Sequence, residues 1–377
     1  MRPGNMSSKR TSCASWGWRR TSSRIKQVQG QTTSSKAITH NASRGCSMTS
    51  SVLSFWRALI AASVFLLGAA HLPSALAADW PDRPIRLMVG YPPGGGTDTV
   101  ARVLAQQLTK VLHQSVIIEN RAGASSTIAA QQVARAEPDG YTVLFATGSP
   151  LTGAPLTIKG LTYDPLKDLV PVTLIGGGPF ILVANPAFPP NTLPELVEYA
   201  RAHPGQVNYA SPGISTANYF FAEVLNQDAN IKTVHVPYKG SSALINDTIA
   251  GQVQYTLDTP GTTLPLIHAG KLKALAIFSK KRLERAPDIP TTVEAGYPEL
   301  VGGSWYGLLL PKGTPPAIVD ALYKATKQAL TGDEVRRAME ARDVIIQGST
   351  PAEFKDYIQA EYTKWKTVTD RLGIKPQ

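Results

Sequence analysis

The chain has 377 residues, more than the roughly 250–300 at which a single hydrophobic core tends to divide, so the sequence predicts at least two lobes. It carries 38 Lys and Arg against 27 Asp and Glu, but the first 77 residues contain ten of the basic residues and none of the acidic ones. The remainder has 28 basic and 27 acidic residues, which provides no basic surface for a nucleic acid, and we expect none as a partner.

The first 77 residues contain the features of an export signal. The segment Ala58–Ala70 is apolar apart from Ser63, and small residues follow at Ala75 and Ala77, where a signal peptidase would cut. We therefore expect a signal peptide at residues 48–77 and cleavage after Ala77. The apolar run has 13 residues, fewer than the ~20 that span a bilayer, so we expect no permanent membrane anchor.

Residues 1–47 precede this signal and are rich in Ser, Thr and Arg, a composition that organellar transit peptides share. We favour the alternative that this segment comes from a mis-assigned start and that Met48 is the true initiator, because a signal peptide stands at the N-terminus of its protein. On either interpretation residues 1–77 lie outside the fold. Both cysteines, Cys13 and Cys46, lie in this segment, so the mature chain has no disulfide and no thiolate ligand.

Short β-branched runs alternate with helical patterns through the mature chain, which is typical of an α/β fold in which helices cover parallel sheets. The first predicted elements are, in order, strand Ile85–Gly90, helix Asp98–Leu112, strand Val116–Glu119, helix Ser126–Ala136 and strand Thr142–Ala146. The next are strand Phe180–Val183, helix Leu193–Ala202, strand Val207–Ala210, helix Thr216–Leu225, strand Val234–Val236, helix Ser242–Ala250, and strands Val253–Leu257 and Lys273–Phe278. The last are strand Trp305–Leu310 and helices Pro316–Leu330 and Pro351–Leu372.

No low-complexity linker interrupts this pattern, so we expect strands of the fold itself to join the two lobes. We place the crossings near Phe180–Pro186 and Ser304–Pro311. The first lobe is then residues 78–179 plus 304–377, and the second lobe is residues 180–303. Two lobes joined in this way enclose a cleft, which is where ligand sites usually form.

The segment Tyr91–Asp98 (YPPGGGTD) follows a predicted strand and opens a predicted helix. Its three glycines free backbone N–H groups beside the positive end of the helix dipole, which favours an anion, and we expect Gly95 to use its freedom to adopt positive φ. The segment is neither a P-loop nor a complete dinucleotide fingerprint, because the residues that end those motifs are missing. The alternative is a plain tight turn in which Thr97 or Asp98 caps the helix.

A second turn of the same kind, Ser211–Thr216 (SPGIST), also joins a predicted strand to a predicted helix. If the two turns belong to different lobes, they face each other across the cleft, and two opposed helix N-termini suit a small ligand with a carboxylate at either end. A third turn, Thr147–Pro150, adds further hydroxyl groups after its own strand. These patterns predict a binding site for a small anion.

Signatures of enzymes and of metal sites are missing from the mature sequence. It has no G-x-S-x-G motif, and its four histidines do not stand at metal-ligand spacing: His113, His203, His235 and His268. A secreted hydrolase or lyase using Asp98 or Asp258 as an acid–base group is the enzyme alternative, but helix capping and loop orientation are commoner uses of such residues. We therefore predict no catalytic residues, no metal and no cofactor.

An ordered set of motifs runs through nearly the whole mature chain. It includes Tyr91–Asp98, Glu119–Ala124 (ENRAGA), Pro138–Thr142 (PDGYT), His235–Gly240 (HVPYKG) and Ser304–Gly307 (SWYG). This set resembles the Bug-type extracytoplasmic solute-binding receptors of tripartite tricarboxylate transporters. The resemblance implies a two-lobed type II periplasmic-binding-protein fold that closes on a small aliphatic or aromatic carboxylate in the periplasm.

The same resemblance implies a monomer that makes transient contact with membrane transporter subunits, or alternatively a receptor that serves a two-component sensor. Tyr219 stands where the family often has a histidine, and its added ring could stack on an aromatic ligand. The resulting predicted ligand-binding residues are Tyr91, Gly94, Gly95, Gly96, Thr97, Asp98, Ser149, Ser211, Gly213, Ser215, Thr216, Tyr219 and Asp258.

Overall fold

The computed structural model describes residues 80–377, which belong to one compact unit. The strands are β1 (Ile85–Val89), β2 (Val116–Asn120), β3 (Thr142–Ala146), β4 (Leu169–Pro179), β5 (Ile181–Ala184), β6 (Asn208–Ser211), β7 (Val234–Pro237), β8 (Tyr255–Asp258), β9 (Lys273–Ile277), β10 (Gly303–Pro311) and β11 (Ile345–Ile346). The expected signal peptide, its cleavage after Ala77 and the segment before Met48 all lie outside the described residues.

The described helices pack around these strands. They are α1 (Gly96–Leu112), α2 (Thr127–Ala134), α3 (Ala154–Thr157), α4 (Leu193–Ala202), α5 (Ala217–Asp228), α6 (Ser241–Ile249), α7 (Pro260–His268), α8 (Pro316–Thr331), α9 (Asp333–Glu340) and α10 (Pro351–Leu372). A π-helical turn at Ser149–Gly153 leads into α3. Within residues 80–377, none of these helices has both the length and the apolarity that crossing a membrane requires.

Six of the described strands form the first sheet, in the order β11-β4-β10-β3-β1-β2. β1 pairs in parallel with β2 and β3, whereas β10 runs antiparallel to β3 and β4. One core lies between this sheet and α1, because Val100, Leu104 and Leu108 follow the helical spacing that puts them on one buried face.

Five strands form the second sheet, in the order β7-β6-β8-β5-β9. β6 pairs in parallel with β7 and β8, whereas β5 runs antiparallel to β8 and β9. The expectation of parallel sheets is therefore wrong, and both sheets are mixed. The reason is that β5 and β10 enter their sheets directly from the other sheet instead of through a covering helix, and so arrive in the opposite direction.

The chain passes between the sheets at two adjacent places. β4 ends at Pro179 and β5 begins at Ile181, so Phe180 alone separates them, and the return passage reaches β10 through Gly302. The two passages are hydrogen-bonded to each other: the Phe180 N–H donates to the Gly302 carbonyl at 3.1 Å, and the Phe278 N–H donates to the Phe180 carbonyl at 2.9 Å. Two short paired segments of this kind form a hinge on which the sheets can rotate.

The second crossing differs from the expectation, because the segment Ser304–Pro311 lies within β10 of the first sheet and the passage precedes it. The division into lobes at residues 78–179 plus 304–377 and 180–303 stays a proposal. It assigns the first sheet to one lobe and the second sheet to the other.

The C-terminal helix α10 packs on both sides of this hinge. A capping box between Thr350 and Glu353 starts it, Phe354 packs in the core with Trp305, and Trp365 near the other end packs in the core of the second sheet. The Trp365 ring centroid lies 5.0 Å from that of Phe220. One helix therefore ties the two cores together behind the hinge.

We predict that Trp365→Ala lowers the free energy of unfolding by about 3–5 kcal/mol, because it leaves a cavity in a buried aromatic cluster. Thr367→Ala, on the exposed face of the same helix, should change it by about 0.5 kcal/mol or less. Urea unfolding followed by circular dichroism measures both variants. Equal effects of the two would show that Trp365 does not join the cores.

Candidate functional site

A cavity of about 50 Å³ lies between the two sheets. One wall comes from the loop after β1, the turn after β3 and the start of β10, and the opposite wall comes from the starts of α5, α6 and α7. The volume suits a few water molecules or one small ligand. Among the described residues that line it there is no Lys, Arg or His.

Four helix N-termini reach this cavity. The lining includes Gly96 and Thr97 in the first turn of α1, Ala217 in α5, Ser241 in α6, and Thr259 immediately before α7. No N-cap side chain hydrogen-bonds to the first turn of α1, and Gly96 and Thr97 of that turn line the cavity. Free amides and the positive ends of helix dipoles make this an environment for negative charge.

The glycine turn is held in place by Asp98, which is 1% exposed and does not line the cavity. Its carboxylate accepts hydrogen bonds from the Gly94 N–H at 2.9 Å, from Arg102 Nε at 2.8 Å and from Asn120 Nδ2 at 2.8 Å. Asn120 Nδ2 also donates to the Tyr91 carbonyl at 2.9 Å. Asp98 and Gly94 therefore shape the turn from behind and do not line the cavity, and ligand contact at these two residues stays a prediction.

The pKa of Asp98 reflects this role. Burial by itself would raise that pKa, but the hydrogen bonds that the carboxylate accepts, above all from Arg102, outweigh burial and hold the pKa below its ordinary value. The ionised form is thus stabilised in the folded protein.

Gly94 is the residue of this turn with a positive φ, +84°. The expectation of a positive φ at Gly95 is wrong, because that residue is extended with φ −80°. Gly96 is the position of close approach. A Cβ there would lie 2.7 Å from Thr259 Oγ1 and 3.2 Å from Thr262 Oγ1, whereas a Cβ on Gly95 would meet nothing closer than 3.6 Å. Only glycine at position 96 lets the two walls come this near.

In the second turn, Ser215 and Thr216 line the cavity, whereas Ser211 and Gly213 do not. Ser211 Oγ bonds to His235 Nε2 at 2.7 Å and accepts from the Gly213 N–H at 3.1 Å, which fixes the turn. Gly213 has φ +130°, in the region that favours glycine. Ser211 and Gly213 therefore stabilise the turn from outside the cavity.

The cavity-lining hydroxyls of this side are themselves engaged. Ser215 Oγ and Thr157 Oγ1 are 2.7 Å apart in a buried contact. This contact joins the side of the cavity that belongs to the first sheet (the first side) to the side that belongs to the second sheet (the second side). Thr216 Oγ1 donates to the Gly213 carbonyl at 2.7 Å and caps α5. The side chains stabilise the turn, which leaves the backbone groups to face a ligand.

Tyr219 does not line the cavity. Its ring packs against His235, with centroids 4.8 Å apart, and stacking on an aromatic ligand stays a prediction. Burial lowers the pKa of His235 to about 4, so this partner stays neutral in ordinary buffers. The two rings form part of the second-sheet core.

Tyr91 and Ser149, two of the predicted ligand-binding residues, line the cavity on the first side. The Tyr91 hydroxyl lies 3.1 Å from Thr147 Oγ1, and burial raises the pKa of Tyr91. Ser149 Oγ donates to the Ser125 carbonyl at 2.9 Å. Both side chains are therefore neutral and held in place by hydrogen bonds.

Asp258 is the acidic side chain in the described lining. It ends β8, is 2% exposed, and accepts from the Thr259 N–H through Oδ1 at 2.7 Å. Its other oxygen, Oδ2, is buried, and the Ser241 hydroxyl on α6 is a neighbouring donor to this carboxyl group. Burial raises the pKa of Asp258 to about 6, and the Ser241 hydroxyl and the Thr259 amide offset only part of that rise.

Several lining residues were not predicted. Phe180, Phe220 and Trp365 supply aromatic walls, and Asn218 lies in the first turn of α5, where Nδ2 donates to the Leu257 carbonyl at 2.7 Å. The missed polar residues adjoin segments already singled out: Thr259 follows Asp258, and Ser241 follows the His235–Gly240 motif. Of the residues named here, only Trp365, far along the chain, has no predicted functional motif next to it in the sequence.

No pair of acidic residues forms at the cavity, because Asp98 is tied into the turn behind it and only Asp258 faces it among the described residues. The described part of the chain also contains no group of three or more His, Cys, Asp or Glu placed to hold a metal ion.

Comparison with known proteins identifies a family. A family model described as "Tripartite tricarboxylate transporter family receptor" matches residues 100–374. Protein BugT of Bordetella pertussis is 34% identical over 319 residues, which are 84% of this chain and 98% of BugT.

Two solved structures extend this similarity to the fold. Periplasmic binding protein BugD is 32% identical with a TM-score of 0.76, and R. palustris Rpa4515 with adipate is 31% identical with a TM-score of 0.77; each match covers 79% of this chain and 100% of the other. The resemblance to Bug-type receptors and the two-lobed binding-protein fold expected from the sequence are confirmed.

We predict that Asp98→Asn lowers the free energy of unfolding at pH 7 by about 1–3 kcal/mol, because it weakens charge-assisted hydrogen bonds in a buried turn. Since the folded pKa is lowered, the stabilising effect exists above the unfolded value of about 3.9 and is lost as the pH falls through the folded one. The difference between wild type and variant should therefore shrink in acid.

Denaturant unfolding between pH 3 and pH 7 measures this difference. Asp320→Asn, which removes an exposed partner of Lys324 on α8, is the control and should change the stability by about 0.5 kcal/mol or less. A loss for Asp98→Asn that stays constant over this range would contradict the role of the ionised carboxylate.

Proposed function

Because the chain belongs to the tripartite tricarboxylate transporter receptor family, we propose that it binds a small carboxylate in the cavity between its two lobes and delivers it to a membrane transporter. Capture takes place in the periplasm, after export directed by residues 48–77. The protein acts as a stoichiometric receptor and leaves the ligand chemically unchanged.

The observation that carries this proposal is the meeting of four helix N-termini in a cavity whose described lining has no cationic side chain. Backbone amides are the groups left to meet a negative charge, and each charge-assisted hydrogen bond contributes about 1.5–3 kcal/mol. A carboxylate, with two oxygens that accept in one plane, can take several of these amides together. The similar protein Rpa4515, whose structure contains adipate, supports the same ligand class.

The contacts between the two sides support capture by closure. Arg285 NH1 on the second side lies 2.9 Å from Asp343 Oδ2 on the first, and the Thr157–Ser215 contact joins the sides next to the cavity. A ligand therefore enters and leaves when the sides separate about the hinge at Phe180 and Gly302.

We predict that isothermal titration with a panel of aliphatic and aromatic carboxylates finds at least one that binds and raises the melting temperature. A ligand at 100 times its Kd should add about 2.7 kcal/mol of stability. The uncharged amide in which every carboxylate is replaced should bind at least tenfold more weakly, because it gives the free amides no negative charge to meet.

The same samples also distinguish a receptor from an enzyme. After overnight incubation, nuclear magnetic resonance spectra of the bound carboxylate should be unchanged. Absence of binding throughout the panel, or conversion of the ligand by the purified protein, would contradict the proposed function.

We further predict that Gly96→Val lowers the affinity for that carboxylate at least tenfold, about 1.4 kcal/mol, because its side chain would collide with Thr259 and Thr262 when the sides close. Gln106→Val, on the exposed face of the same helix and away from the cavity, is the control and should change the affinity less than threefold. Titration calorimetry compares the two, with circular dichroism to confirm that both are folded. Equal affinities for the two variants would show that closure does not depend on Gly96.

A further inference from the structure

A second cavity, of about 280 Å³, lies behind the hinge, and its volume approaches the roughly 300–1,000 Å³ of small-molecule sites. Phe180 lines the cavity between the two sheets, whereas its neighbour Pro179 and its hydrogen-bonded partner Gly302 line the second cavity. The two cavities therefore lie on opposite faces of the paired passages. We call the second one the rear pocket.

The rear pocket takes its walls from both sheets and from the C-terminal helix. Phe221 of α5 and Phe278 belong to the second side, the end of β4 and Ile345 of β11 belong to the first side, and Tyr357 belongs to α10. Because these walls come from both sides of the hinge, the shape of the rear pocket depends on the angle between the two sheets.

Aromatic rings and bare backbone dominate this lining. The glycines let the strands approach closely, because a Cβ on Gly178 would lie 2.2 Å from the Asp343 carbonyl oxygen and a Cβ on Gly303 would lie 1.9 Å from the Gly178 carbonyl oxygen. Ile345 adds a side chain that is 68% exposed, the most exposed large apolar side chain in the described part of the chain. An exposed apolar group beside aromatic rings favours a flat apolar ligand. The lining rings are Phe221, Phe278, Trp305, Tyr357 and Trp365.

The charged groups of the described lining leave an excess of one positive charge, from two lysines and one glutamate. The Glu361 carboxylate is held on its own helix, because it accepts from Trp365 Nε1 at 3.1 Å and lies 3.6 Å from Lys364 Nζ. Lys364 Nζ also lies 4.8 Å from the Trp365 ring centroid, a cation–π distance. Lys280 is exposed and forms no ion pair within residues 80–377. This charge balance favours an anion.

We propose that the rear pocket is a second ligand site, which binds a flat aromatic monoanion and thereby stabilises the closed arrangement of the two sides. The ring of the ligand packs among the lining aromatic side chains and Ile345, and its negative group is attracted to Lys280 and Lys364. The effect on carboxylate affinity rests on the proposed function, whereas binding in the rear pocket does not.

The hinge supplies the coupling between the two cavities. In the described structure the two sides touch next to the cavity, through Thr157 and Ser215. A rotation that separates them widens the cavity between the sheets and narrows the rear pocket, because the two lie on opposite faces of the hinge. A molecule in the rear pocket resists this rotation, so it should tighten carboxylate binding, and by linkage the carboxylate should tighten its binding equally.

Titration calorimetry with naphthalene-2-sulfonate tests binding directly. We expect a Kd of about 1 mM or tighter and one site per chain. The uncharged naphthalene-2-sulfonamide keeps the rings and loses the charge, and it should bind at least fivefold more weakly. A carboxylate found in the panel above should not displace the sulfonate. Displacement would place the sulfonate between the sheets and overturn the proposal.

Two variants test the position of the site. Lys280→Gln removes one positive charge and should weaken sulfonate binding at least fivefold, and Ile345→Glu, which adds a negative charge to an exposed side chain of the lining, should weaken it at least tenfold. Lys281→Gln is the matched control, since this exposed neighbour does not line the rear pocket, and it should change the affinity less than twofold. Equal effects of Lys280→Gln and Lys281→Gln would contradict the assigned site.

The coupling is measured by titrating the carboxylate with and without saturating naphthalene-2-sulfonate. We expect at least a fivefold gain in carboxylate affinity. In Lys280→Gln the gain should disappear at the same sulfonate concentration, while the affinity without sulfonate stays within twofold of wild type. An unchanged carboxylate affinity would overturn the coupling.

Failure of this inference is distinguishable from failure of the proposed function. If no carboxylate binds, the sulfonate titrations and the two variants still decide whether the rear pocket is a site. If a carboxylate binds and the sulfonate does not, the rear site is overturned while the proposed function stands. Sedimentation velocity on the same samples checks a further occupant, because a dimer that the sulfonate dissociates would assign the rear pocket to an interface between two copies of the chain and overturn the proposal.

Discussion

Any anion in this cavity must be held by backbone amides and neutral side-chain donors, because the described lining offers no cationic side chain. A lysine or arginine can follow a ligand by changing rotamer, whereas a backbone amide is only as well placed as the turn that carries it. The fold must therefore fix its turns before the ligand arrives. This requirement explains why so much hydrogen bonding lies one layer behind the cavity, at Asp98, Asn120 and Ser211.

The same requirement limits where the molecule can move. Each turn is hydrogen-bonded within its own side, and the proposed closure would concentrate its movement in the paired passages at Phe180 and Gly302. Gly302 has φ +150°, and a Cβ there would lie 2.7 Å from Phe221, so a larger residue would disturb both the passage and the adjacent core. Since α10 packs against both cores, it limits how far they separate.

The sequence was informative where local chemistry decides the structure. Helices Leu193–Ala202 and Pro351–Leu372 and strand Thr142–Ala146 have the bounds that their apolar spacing predicts. β4 was missed because three glycines and two prolines obscure its alternation, and α7 was missed because Pro265 lies inside it. Those elements are stabilised by pairing and packing with distant residues, which a local pattern does not contain.

In the candidate site, too, some features follow from the local sequence and others depend on distant contacts, and this holds for single side chains. Asp98 and Asp258 each stand beside a helix start, and no local pattern distinguishes their roles. Their environments separate them, because Arg102, Asn120 and the Gly94 amide converge on Asp98 and lower its pKa, whereas burial raises the pKa of Asp258. A carboxylate whose hydrogen bonds are all internal supports the structure, and one that lines a cavity is a candidate for contact with a ligand. The contacts that make this distinction come from Asn120 for one residue and from Thr259 and the cavity for the other, so it becomes visible only when the chain is folded.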